Sequence, residues 1–173
     1  MKRILTLTLA AALLLSALAG CSGGGSQESQ AVKTPEEYTA AYQAAIEGAR
    51  DDEMNEAVPV ITSTDDQMAD LVLPMVGITS DNAAAFAVAV SPMNIRAYGI
   101  VAVLPAEGKS EEVQEGLQGF IDQQKQSFEQ YLADQYEIAN AARLETLDDG
   151  TILLVMCEDQ DTVFDAIQSA LSA

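Results

Sequence analysis

The hydrophobic period of this chain switches twice from helical to extended and back, and that switching limits the folds open to it. Phe86, Val88 and Val90 alternate with Ala87 and Ala89, as on a strand with one small-residue face. Ser91-Pro92-Met93-Asn94 supplies a turn, and Ala97 to Leu104 is a second, more continuously apolar strand that Pro105 stops. A helical stretch follows: Ser110 is placed to cap it, Glu111 and Glu112 suit its positive end, and Val113, Leu117, Phe120, Ile121, Phe128, Tyr131 and Leu132 form one stripe. The pattern then repeats. Arg143 to Leu147 and Thr151 to Cys157 flank Asp148-Asp149-Gly150, an Asp-Gly hairpin turn, and Asp159 or Asp161 opens a last helix with Val163, Phe164, Ile167 and Leu171 inward.

Helical segments also precede the first hairpin. Thr34 and Glu37 make a capping box around Pro35, and Tyr38, Ala41, Tyr42, Ala45, Ile46 and Ala49 keep one apolar face. Between residues 51 and 82 the pattern is faint. Asp65 or Asp66 caps a short helix with Met68, Leu71, Val72 and Met75 inward, ended by Pro74 and Gly77. The expected class is α+β: a four-stranded, largely antiparallel sheet of two hairpins with helices on one face, preceded by an N-terminal helix. Gly116 and Gly119 each cost about 1 kcal/mol inside a helix, which a close helix–sheet approach explains.

The first 20 residues serve another purpose. Lys2 and Arg3 precede an apolar run from Ile4 to Leu15, too short for a spanning helix of roughly 20 residues. Small residues then lead to Leu18-Ala19-Gly20-Cys21, a bacterial lipobox in which the leader is cut before Cys21 and the sulfur of Cys21 takes a diacylglyceryl group. Two acyl chains are enough for stable anchoring. The expected organisation is a cleaved signal peptide at 1–20, a lipidated Cys21 and flexible linker at 21–33, and a single domain at 34–173. The Gly- and Ser-rich linker has a mean reach of about 20 Å. The expected location is the extracytoplasmic face of the cell membrane.

Charge and composition narrow the function classes. Losing Lys2 and Arg3 with the leader takes the formal charge from −19 to −21. Nucleic acid and anionic headgroups call for Lys and Arg, so no nucleic-acid partner is expected, and the membrane is reached through lipid alone. The only cysteines are Cys21 and Cys157, which excludes a disulfide framework once Cys21 is lipidated and leaves Cys157 as a small buried hydrophobe. The chain has no histidine, the usual base for serine and cysteine nucleophiles and the commonest zinc ligand. Gly108-Lys109-Ser110 lies between strand and helix like a phosphate loop, yet Val103 stands where that motif needs glycine. The acidic clusters Asp51-Asp52-Glu53, Asp65-Asp66, Asp148-Asp149 and Glu158-Asp159 lack the spacing and bend glycine of a calcium loop, and serve as caps and turns.

Ser91 through Ala97, Glu111-Glu112-Val113, Gln123-Gln124, Ser127-Phe128, Tyr131-Leu132, Asp134-Gln135-Tyr136-Glu137, Gly150 and Leu153-Leu154-Val155 together resemble the small lipoproteins grouped as domain of unknown function 4358, across about residues 60–171. The resemblance implies a lipoprotein at a Gram-positive cell surface and brings no activity, ligand or catalytic residue. The expected function is a non-catalytic binding or interaction module with an envelope protein as partner, without cofactor or metal. The alternatives are a small-ligand or ion-binding accessory lipoprotein and, last, a histidine-free hydrolase. The alanine-rich strand from Ala83 is the expected docking surface if it lies on an edge.

Overall fold

A computed structural model describes residues 33–93 and 95–173, which fall within one compact unit, Val32–Ala173. Cys21 and the whole of the expected leader and linker up to Val32 lie outside the described residues. The elements run α1 (Pro35–Gly48), α2 (Asp52–Ala57), α3 (Ala69–Val72) continued by a 3₁₀ turn (Leu73–Val76), β1 (Ala83–Val90), β2 (Gly99–Pro105), α4 (Ser110–Phe128), α5 (Ala133–Asn140), β3 (Arg143–Thr146), β4 (Ile152–Met156) and α6 (Gln160–Leu171).

Both hairpins form, and β2 pairs with β4 to join them into one antiparallel sheet of order β1-β2-β4-β3. The class is therefore α+β, as the periodicity indicates. Gly150 turns the second hairpin at φ +86°, a left-handed conformation that glycine adopts without steric cost. Asp149 braces that turn by accepting from the Thr151 N–H at 2.9 Å. The edges of the sheet are guarded differently. Val88 of β1 exchanges two 2.8 Å backbone bonds with Ile61, whereas β3 is four residues long and carries Arg143 and Glu145.

The layering departs from expectation. Helices cover both faces of the sheet, because β2 and β4 are apolar on both sides: Ile100 to Val103 and Ile152 to Met156 have no exposed surface. One face sets Phe86, Val88, Val101, Val103 and Leu154 against Leu117, Phe120 and Phe128 of α4 and Val72 and Val76. The other sets Ala85, Ala87, Ala89, Ala102 and Leu153 against Tyr42 and Ile46 of α1 and Phe164 and Ile167 of α6. The alanine face of β1 is thus buried under α1 and is no free docking surface.

Local details hold or shift for physical reasons. At Thr34 the capping box forms: its hydroxyl accepts from Glu37 N–H at 3.3 Å, and the Glu37 carboxylate accepts from Thr34 N–H at 2.7 Å. Around α3 the inward positions are Ala69, Val72, Leu73 and Val76, with Met68 and Leu71 exposed, because the turn tightens to 3₁₀ at Pro74 and changes the phase. Asp66 does not cap that helix. Its carboxylate accepts from the N–H groups of Thr62 and Ser63, at 2.7 and 3.0 Å. Ser110 is the first helical residue of α4 and makes no side-chain cap. Gly116 does mark a close approach, to the turn rather than the sheet: a Cβ there would meet Val76 O at 3.1 Å and the Cα of Gly77 at 3.2 Å. Gly119 has nothing within 4 Å and no packing role. The α4 stripe stops at Phe128. Tyr131 is exposed, and α5, which the periodicity did not reveal, follows.

Candidate functional site

Tyr42 of α1 bonds Thr151 beside the start of β4, and Arg50 just past α1 bonds Tyr98 beside the start of β2, so α1 runs the length of the sheet. Its far end, with the β1–β2 loop, α2 and the exit of β4, gathers the polar side chains that have no obvious structural task. Arg50 is central. It is the only Lys or Arg between Lys33 and Arg96, and it sits in the acidic run Glu47, Asp51, Asp52, Glu53 and Glu56. Its Nη1 donates to Val58 O at 2.9 Å and to the Tyr98 hydroxyl at 3.3 Å. Its Nε and Nη2 are buried with no hydrogen-bond partner, and among the described residues no carboxylate pairs with it.

The elbow between α1 and α2 is fixed by local chemistry. Asp51 caps α2 by accepting from Met54 N–H at 2.8 Å. Asn55 Nδ2 donates back to Glu47 O at 3.0 Å, while Asn55 Oδ1 is buried without a donor. No residue of α2 is buried, so this helix rests on polar contacts alone. Burial raises the Tyr98 hydroxyl pKa despite the Arg50 hydrogen bond. Cys157 packs nearby on the second core. Burial, then the charges of Asp159 and Glu158, pushes its thiol up to about 11 against the pull of Arg50. Such a thiol stays protonated at neutral pH and is a poor nucleophile.

The same end carries apolar side chains in solvent. Met93 is 61% exposed and Ile95 69%, both on the β1–β2 loop. Ala97 of that loop donates its N–H to Gln135 Oε1 at 2.8 Å, which ties it to the first turn of α5 close to Tyr131, itself 63% exposed. On the outer side of α4 and α5 lies an open groove of about 520 Å³ lined by Asp122, Gln123, Lys125, Gln126, Glu129 and Tyr136.

The other charged groups have local partners. Arg143 joins Glu145, Asp165 and Asp161 at 2.8, 3.0 and 3.3 Å and lies 3.8 Å from the centre of the Phe164 ring, holding β3 to α6. Lys109 bonds Glu112 at 2.7 Å, which raises the lysine pKa, the opposite of what a lysine base needs. Among the described residues no three His, Cys, Asp or Glu side chains converge as a metal would require. Of the residues singled out in the sequence, Cys157 is placed as the apolar run implied. Arg50, Asn55 and Tyr98 were not singled out, although one cation inside an acidic run is a readable signal.

Comparison with known proteins supplies a family and no more. Residues 61–157 match the family described as Domain of unknown function (DUF4358), and the chain belongs to it. The matched span holds all four strands, α4 and α5. It leaves out α1, Arg50, α2 and α6. No curated protein and no solved structure matches the chain.

Proposed function

We propose that this DUF4358 protein is a non-catalytic interaction module, exported and held at the extracytoplasmic face of the cell membrane by a diacylglyceryl group on Cys21. The lipobox Leu18-Ala19-Gly20-Cys21 after a basic, apolar leader supports the anchor. The observation that carries the interaction reading is the loop of β1–β2. In a domain that buries most of its large hydrophobes, Met93 and Ile95 stand mostly in solvent on a tethered loop. A neighbouring envelope protein is the partner proposed for this surface. The raised pKa of the Cys157 thiol and the engagement of Lys109 with Glu112 speak for binding rather than catalysis.

Two measurements test the halves separately. The mature chain carries a thioether-linked lipid on Cys21 by mass spectrometry, and Cys21→Ser releases the protein from membranes; a free thiol at Cys21 in the mature wild type removes the anchor. A photo-crosslinker placed at Met93 gives a discrete adduct in intact cells, and Ile95→Glu abolishes it. An adduct pattern identical to that of a probe at exposed Ser169 removes the interaction surface.

A further inference from the structure

The α1–α2 elbow offers unused hydrogen-bonding groups of both polarities. Arg50 Nε and Nη2 are the two donors on one edge of the guanidinium, the edge that grips a carboxylate through two parallel bonds. Both are buried and unpartnered in a chain with 27 Asp and Glu, so local sequence has every opportunity to supply a partner and does not. An unpaired buried cation is costly and persists in proteins chiefly where something binds it. Asn55 Oδ1, one rung away, is a buried acceptor without a donor. The rungs are explicit: Asn55 meets Glu47 and Arg50 meets Val58, each three residues further along its own strand of the elbow. Three residues span about one helical turn, roughly 5 Å. A carboxylate and a neighbouring N–H are separated by a similar distance.

We propose that this elbow binds an α-carboxylate flanked by an N–H, as in a free amino acid or the last residue of a peptide. The carboxylate takes the Arg50 fork, the N–H donates to Asn55 Oδ1, and the Tyr98 hydroxyl borders the site. α2 is the element that lifts to admit the ligand, since none of its side chains is buried. Glu47, Asp51, Asp52, Glu53, Glu56, Glu158 and Asp159 surround the elbow in sequence or in charge effect, so a multiply charged anion is repelled and a zwitterion or monoanion is accepted. The site is separate from the Met93 and Ile95 surface, and its test is independent of the partner there.

The test is calorimetric titration of the full chain with L-alanine, N-acetyl-L-alanine, acetate and L-alaninamide. Saturable binding is expected for L-alanine or N-acetyl-L-alanine and none for L-alaninamide, which lacks the carboxylate. Preference between the first two identifies a free amino acid or a peptide end as the source. Arg50→Lys, which keeps the charge and loses the fork, weakens binding about tenfold. Asn55→Ala weakens the N–H-bearing ligands and leaves acetate unchanged, and stands as the test should Arg50→Lys not fold. The proposal is overturned if neither carboxylate with an N–H binds, if L-alaninamide binds equally, or if binding is unchanged in Asn55→Ala. The first of those results would mean that the fork is merely hydrated.

Discussion

The two faces of the sheet fill the same kind of space from opposite sides. On the face under α4, bulk comes from the strands as well as the helix, with Phe86, Val88 and Val101 meeting Leu117 and Phe120. Beneath α1, β1 offers only Ala85, Ala87 and Ala89, and the volume comes from Tyr42 and Ile46. Small against large lets α1 lie close, and interiors pack too tightly to tolerate the reverse pairing. Alternation along β1 is thus a set of instructions to two helices at once. The first face is at risk from lost volume and the second from added volume.

The largest effect tests the first face. Phe120→Ala removes a fully buried ring that also covers Gly99, and costs about 3–5 kcal/mol in urea denaturation. A loss under about 1 kcal/mol would break the contrast. On the second face Ala87→Leu adds volume under α1 and costs about 1–3 kcal/mol, whereas the same change at exposed Ala84 is near neutral. Equal costs at the two positions would show that α1 is not closely docked. Smaller again is Tyr42→Phe, which leaves the Thr151 hydroxyl buried without its 2.6 Å partner and costs about 1–1.5 kcal/mol. Thr151→Val in the Tyr42→Phe background recovers part of that cost if the hydrogen bond is the cause.

The last effect vanishes at neutral pH. Cys157 titrates at about 11 in the folded chain against an ordinary 9.0. The unfolded chain therefore loses this proton first, and stability falls as pH rises from about 9 and levels off above about 11. Tyr42 and Tyr98, raised by burial, act in the same direction at higher pH. Thermal midpoints between pH 8 and 11 fall less steeply for Cys157→Ala than for the wild type. Parallel curves would place the thiol in contact with water.

Much of this architecture was legible because single residues have single uses. Thr34, Pro35 and Glu37 announce a helix start, Gly150 a hairpin, and Phe86 to Val90 a strand. The second helix layer was half visible: Ile152 to Met156 has no polar alternate, and a strand without one has no face to give to water. What stayed hidden depends on pairing across distance. α5 buries only Ala139, too little for a stripe, and the phase of α3 is set by a 3₁₀ turn that periodicity cannot encode. The elbow was overlooked because its key property is an absence of partners, which exists only once the chain is folded. Arg50 looks in sequence like one more surface charge.

The guarded edges of the sheet bear on how copies of the domain behave when crowded. A strand arriving at β1 finds the middle of that edge already occupied by Ile61, and one arriving at β3 meets four residues with a guanidinium and a carboxylate among them. Cross-β stacking needs a longer and plainer template than either side provides. High local density therefore favours repulsion between like-charged globules over fibril growth.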